Sequence, residues 1–183
     1  MQLIAGGNLI KYPGSTSTLT TGIVTIKIHW NSIILTSNNK YYSIDIKDFY
    51  LNSLLGVFEY MRILFNILLQ YIIIQYNLLS IVAKDSFTYM EVNSSICGLL
   101  QVEQLAHDNL VAYLAPYNYV LVKYTPGLWV YKSNSISFTL IVDNFCIKYS
   151  SETQLQYLID ALKAKYTITI DMSESLHIGV SLK

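Results

Sequence analysis

Asp143 and Asn144 stand between two short apolar runs, Phe138 to Val142 and Phe145 to Tyr149, and form the polar tip of what reads as a β-hairpin. A carboxylate at the tip of a buried hairpin carries a desolvation cost unless a cation or another partner meets it. A second such carboxylate, Asp45, lies far upstream in the run Tyr42-Ser43-Ile44-Asp45-Ile46. Two strand-borne aspartates, distant in sequence, suit a two-metal phosphoryl-transfer site, where paired divalent cations clamp the attacking and leaving oxygens. Magnesium prefers oxygen ligands, often only one or two carboxylates with substrate phosphate and water completing the octahedron. Asn144 supplies a neutral amide where a further aspartate would complete such a site.

The elements that must position these residues follow from periodicity and punctuation. Leu3 to Lys11 reads as a hairpin with its turn at Gly6-Gly7-Asn8, and Ser15 to Thr21 as a polar connection. The β-branched residues from Ile23 to Leu35 favour a strand. Tyr41 to Ile46 is a strand, and Phe49 to Leu51 begins a turn or helix. Ile67 to Leu79 is expected to be helical, and Phe87 to Val92 a strand. Gln104 to Leu114 is a helix with Leu105, Ala106, Leu110, Tyr113 and Leu114 on its apolar side, stopped by Pro116. Tyr119 to Val122 and Leu128 to Tyr131 are short strands, followed by the hairpin Ser137 to Val142 and Phe145 to Tyr149. Ser151 with Gln154 has the form of a capping box, ahead of Leu155, Leu158, Ile159 and Leu162 at helical spacing. Tyr166 to Ile170 and Leu176 to Leu182 finish the chain as strands. This order predicts an α+β fold with helices on one face of an antiparallel sheet.

Several segments, taken in order, resemble the reverse transcriptase domain of retrotransposon pol polyproteins. Tyr42 to Leu51 is similar to that family's first metal-binding motif, and Val142-Asp143-Asn144 to its hydrophobic-Asp-Asp hairpin with the last aspartate lost. Cys97-Gly98-Leu99-Leu100-Gln101-Val102-Glu103 resembles the intervening Tyr-Gly-Leu-(Pro or Lys)-Gln-Ala-Gly motif. Gly6-Gly7-Asn8 with Tyr12-Pro13-Gly14, Thr125 to Trp129, Tyr166 to Asp171 and His177 to Leu182 match further stretches, so the resemblance covers nearly the whole chain. It implies a polymerase of fingers and palm: about 1–40 and 52–95 as fingers, 41–51 and 96–183 as palm, all one reverse-transcriptase-like domain of residues 1–183, with the thumb, connection and ribonuclease H regions absent. It also implies a helix, not a strand, over Ile23 to Leu35.

The resemblance assigns roles. Asp45 and Asp143 become metal ligands with the backbone carbonyl of Ile46, and Asn144 joins them in the catalytic set. Tyr50 is the aromatic that blocks the 2′ position of a ribonucleotide, Gln101 lies near the template base and incoming nucleotide, and Lys165 lies near the pyrophosphate. Magnesium, with manganese as its substitute, is the implied cofactor. The implied partners are an RNA or DNA template-primer, deoxynucleoside triphosphates and other regions of the polyprotein, in the cytoplasm or nucleus. Two departures weaken catalysis: Asn144 is a poorer magnesium ligand than aspartate, and Glu103 puts bulk and negative charge where the family has glycine. Read without the resemblance, Asp143-Asn144 is ordinary turn chemistry, Tyr50 a core aromatic, and Glu103 a residue suited to a helix N-terminus.

Composition supplies the counterweight. The 183 residues are 52% hydrophobic, enough for a core, but only 13% charged with zero formal net charge. The average domain is ~25% charged. Arg62 is the one arginine, and no Lys/Arg cluster grips a phosphate backbone. Cys97 and Cys146 read as small buried hydrophobes, His29, His107 and His177 lack zinc-ligand spacing, and Ser94-Ser95 has no hydrolase elbow around it. The charge-free run Ile63 to Ala83 is long enough for a membrane span, but Asn66, Gln70, Gln75, Asn77 and Ser80 interrupt it, and no membrane association is expected. The expected function is therefore an RNA-directed DNA polymerase fragment with impaired catalysis. The alternative is a non-enzymatic remnant that keeps the palm fold and a structural or weak binding role, and a third reading is a small membrane-associated protein built on Ile63 to Ala83.

Overall fold

The structure, a computed structural model, describes residues 12, 14, 21–82, 85–133, 136–171, 176–177 and 180–181. The proposed hairpin Leu3 to Lys11 and most of the Ser15 to Thr21 connection lie outside the described residues. At the centre is a six-stranded sheet in the order β4-β5-β6-β7-β1-β8. Its strands are β1 (Lys40–Ile46), β4 (Tyr119–Leu121), β5 (Leu128–Tyr131), β6 (Ile136–Ile141), β7 (Asn144–Tyr149) and β8 (Ile168–Asp171). Every neighbouring pair is antiparallel. A separate hairpin pairs β2 (Leu54–Leu64) with β3 (Phe87–Ser94), and a short one pairs β9 (Leu176–His177) with β10 (Val180–Ser181). The expected strand Leu176 to Leu182 is therefore two short strands.

The sheet's two faces differ in chemistry because side chains alternate along each strand. Ile44, Ile46, Phe138, Leu140, Phe145 and Ile147 share the face that meets α3 (Val102–Leu114) and α4 (Glu152–Lys163). Those helices contribute Ala106, Leu110 and Leu114, and Leu155, Leu158, Ile159 and Leu162, at helical spacing. Each fully buried Leu, Ile or Phe among them stabilises the fold by roughly 1.5–3 kcal/mol. The other face carries Ser43, Asp45, Ser137, Thr139, Asn144, Cys146 and Lys148, and α1 (Ile23–Leu35) lies across part of it.

The helix over Ile23 to Leu35 overrides the strand propensity of its residues. Ile26, His29 and Ile33, spaced three and four apart, are its buried positions, so a helix seats on the sheet where a strand could not. The expected helix Ile67 to Leu79 is a correction. It breaks into a 3-10 turn at Phe65–Ile67, a short α2 (Gln70–Gln75) and another 3-10 turn at Leu78–Ile81. Extended backbone at Leu68 and Leu69 and left-handed Asn77 (φ 48°) interrupt it. Among the described residues no helix is long and apolar enough to cross a membrane. The capping box is corrected too. Ser151 is the N-cap of α4, but its side chain makes no capping bond, and Gln154 Oε1 is buried with no hydrogen-bond partner.

One further feature is a chain of tyrosine rings around the end of the core. Centroid separations run 5.9 Å from Tyr166 to Tyr113, 5.4 Å to Tyr117, 6.0 Å to Tyr157, 6.4 Å to Tyr131 and 5.3 Å to Tyr119. These tilted and edge-on contacts suit the ring quadrupoles.

Candidate active site

The C-terminal end of β1 and the turn between β6 and β7 meet on the sheet's polar face. Asp45 pairs in register with Asn144, and the Ile46 amide donates to the Asp143 carbonyl at 3.0 Å. Two acidic residues far apart in sequence thus lie on neighbouring segments of the fold. The charge of Asp143 is felt at Asp45, whose carboxyl is held above the usual carboxylate range by burial first and by Asp143 second. Two anions sharing a half-buried site is an arrangement that a cation relieves.

The turn itself is tight. Ile141 pairs with Asn144, leaving only Val142 and Asp143 in the loop. Val142 has φ +59° while Asp143 does not share the left-handed region, which is the type II′ pattern. That first position wants glycine, and a β-branched residue there is strained by about 1–3 kcal/mol. The surrounding pairing, including the Ile46 amide's bond to the Asp143 carbonyl, holds the turn in place against that strain. We expect Val142→Gly to raise the urea midpoint by the equivalent of about 1 kcal/mol, since glycine's added freedom in the unfolded chain offsets part of the relief.

Asn144 acts on its neighbour directly: its Nδ2 donates to Asp143 Oδ1 at 2.9 Å. An oxygen that would face a cation therefore accepts a neutral amide proton. Tyr50 lies in the 3-10 turn Phe49–Asn52 that follows β1, and it packs against both the main core and the small cluster of Leu55, Leu99 and Val102. Its phenol is pushed up to about 12 by burial, then by the charges of Glu103 and Asp143. Glu103, in the first turn of α3, therefore shares a neighbourhood with Tyr50 and Asp143. Asp45, Ile46, Asp143, Asn144 and Tyr50 lie in one neighbourhood, with Glu103 beside them.

Gln101 and Lys165 are placed differently. Gln101 is the N-cap residue of α3 and only 2% exposed; its Nε2 donates to Glu59 Oε1 on β2 at 3.2 Å, and its Oε1 has no partner. Lys165 follows α4 and sets its ammonium over Tyr113 at 4.6 Å and Tyr166 at 5.3 Å. Neither shares a hydrogen bond or ion pair with the two aspartates in the described contacts. Asp48 is a loop residue in the left-handed region (φ 54°) whose side chain makes no capping bond. The Gln101 partner, Glu59, was not legible, because β2 was not. Val142 was not legible either: the sequence reads it as the last residue of a strand, with the turn at Asp143-Asn144.

The donor set fits magnesium only in its sparse form. Among the described residues no group of three or more His, Cys, Asp and Glu could hold a metal ion. What is present is a carboxylate pair and a nearby backbone carbonyl, and magnesium is commonly bound through one or two carboxylates with phosphate and water completing its shell. No family model, no curated protein and no solved structure matches this chain.

Proposed function

We propose that the chain is a retroelement-derived RNA-directed DNA polymerase domain of the fingers-and-palm type, impaired in nucleotidyl transfer. The observation that carries this reading is the Asp45–Asn144 register with Asp143 bonded to Ile46, which brings the two remote acidic residues to one point. A divalent cation, magnesium or manganese, would neutralise charge developing on a transferred phosphoryl group. Asp45 and Asp143 would hold it, with the Ile46 carbonyl. Tyr50, whose phenol senses the charge of Asp143, would limit the sugar with its ring. Gln101 would have to turn from Glu59 to meet a template base, and Lys165 would have to leave its tyrosine rings to meet phosphate. The partners on this reading are a primed RNA or DNA template, deoxynucleoside triphosphates and the rest of a pol polyprotein.

The two departures act in the same direction. Asn144 leaves the site one negative charge short and occupies Asp143 Oδ1. Glu103 sets a charge against any incoming triphosphate. A second reading, a non-enzymatic remnant that retains the palm fold, rests on that same Asn144 to Asp143 bond, which satisfies the aspartate without a cation. Primer extension on a homopolymer template with magnesium separates them. Incorporation by a chain with both departures reversed, abolished by adding Asp45→Asn, supports the polymerase. No incorporation by the reverted chain favours the remnant.

A further inference from the structure

Helix α1 is attached to the sheet by polar groups more than by apolar ones. Its seam offers only Ile26 and Ile33 as buried hydrophobics, with His29, 5% exposed, between them. Both ring nitrogens of His29 face the sheet: Nε2 lies 3.0 Å from Ser137 Oγ on β6, and Nδ1 lies 3.9 Å from Cys146 Sγ on β7. Trp30 donates its indole N–H to the same sulfur at 2.8 Å. Lys148, next but one along β7, reaches back to Ser32 Oγ at 3.2 Å and Thr36 Oγ1 at 3.3 Å. Ile23, Val24, Ile28, Ile34 and Leu35 are exposed and add nothing to the seat.

We propose that His29 is an acid-operated latch: its neutral ring clips α1 to β6 and β7, and its protonation releases the helix from the sheet face that also carries Asp45 and Asn144.

The groups facing the ring leave a proton no welcome. From β6 comes the Ser137 hydroxyl; from β7 come the Cys146 thiol and the Lys148 ammonium; beyond the sulfur lie Tyr41 of β1 and Thr139 of β6. Lys148 is the charged group among them, and it is positive. The thiol is pushed up to about 11 by burial and stays neutral, so no anion compensates a charged ring. Burial first and Lys148 second hold the imidazole down to about 4. A released, hydrated His29 takes its proton near 6.5, whereas the seated ring refuses it until about pH 4. Folded-state affinity for the proton is thus lowered, and seating is complete above the ordinary value and lost as pH falls through this window. Each pH unit multiplies the released fraction about tenfold, for a total on the order of a hundred-fold. This inference stands apart from the polymerase reading, since it requires no substrate or metal.

The test is hydrogen–deuterium exchange of the full chain from pH 7 to pH 4.5, corrected for the intrinsic pH dependence of exchange. Peptides within 23–35 should lose protection about tenfold per unit while those of β7 and α4 keep theirs. His29→Gln, which can still bond Ser137 but cannot titrate, should flatten the dependence. Lys148→Gln should weaken it, because removing the repelling cation lets the seated ring accept its proton sooner; this variant decides the matter should His29→Gln fail to fold. Unchanged α1 protection across the range, loss of α1 and α4 together, or an unaltered profile in either variant overturns the latch.

Discussion

On the proposed polymerase reading, Asn144→Asp with Glu103→Gly should raise nucleotide addition on a primed template by roughly two to four orders of magnitude over the parent chain. The first change restores a carboxylate and removes the amide proton that Asp143 Oδ1 now accepts. Loss of one preorganised electrostatic group at a reacting centre typically costs about 10²–10³ in rate, so its return should recover a factor of that size. The second change clears the charge that Tyr50 already senses from Glu103. The two should be more than additive, since both act on one site and a triphosphate must enter before a completed cation site can help it. The reversions also carry costs: glycine in the first turn of α3 loses about 1 kcal/mol of helix propensity and a favourable acid at the helix N-terminus. Asn144→Asp adds a further anion beside Asp45, whose carboxyl is already lifted by burial and then by the charge of Asp143. That single variant should melt lower than the parent without magnesium and regain the difference in millimolar magnesium. A melting point indifferent to magnesium, with no primer extension by the double variant, would remove the basis for a cation at Asp45.

Gly127→Ala should destabilise the fold by about 3 kcal/mol or more, a large part of the 5–15 kcal/mol that holds a domain together. Gly127 has φ +71°, where an alanine is strained by about 1–2 kcal/mol. Its Cβ would also collide with Thr21 Oγ1 and stand 2.8 Å from the Thr21 backbone nitrogen. Neither neighbour can yield freely. Thr21 is buried and donates through Oγ1 to the Leu140 carbonyl at 2.9 Å, while the Leu140 amide donates to the Gly127 carbonyl at 3.1 Å. Moving Thr21 aside would leave a buried acceptor unmet, at about 1–3 kcal/mol. This three-residue knot ties the entry of α1 to β6, so the loss should be smaller when Thr21→Ala is already present. A urea midpoint for Gly127→Ala within about 1 kcal/mol of the parent would show that the contact is not made.

How much of this could be seen in the sequence varies by element. The strands of the central sheet, α3 and α4 were legible because their apolar residues keep one period throughout. The β6–β7 hairpin was legible to within one residue. Asp143-Asn144 favours the turn by its chemistry, but pairing with Asp45 draws Asn144 into β7 and moves the turn to Val142-Asp143. The helix α1 was not legible in its β-branched residues; what decides it is the sheet face beneath, which no local pattern carries. Strand β2 is not legible because Leu54-Leu55 and Gly56 blur its alternation, and the neighbouring apolar run has the pattern of a helix that extended backbone at Leu69 interrupts. At the site, Asp45 and Asp143 are visible in the sequence as acidic residues in or beside apolar runs, but their closeness depends on the β1–β7 pairing. The burial of Gln101 on Glu59 and the seat of Lys165 on two tyrosines are not visible, since both depend on partners from other elements.

The tyrosine rings linked around the core's end decide how the molecule meets alkali. A free phenol ionises near 10, but Tyr113 and Tyr166 are pushed up to about 12 by burial, and Tyr119, buried deeper, is pushed higher still. Phenolate forms sooner in the opened chain than in the closed one, so the share of stability held by these rings is intact below pH 10 and drains away as base is added. Followed by ultraviolet absorbance and circular dichroism together, these phenols should ionise only as the helices and strands are lost. Smooth ionisation ahead of that collapse would mean the rings are wetter than their packing implies.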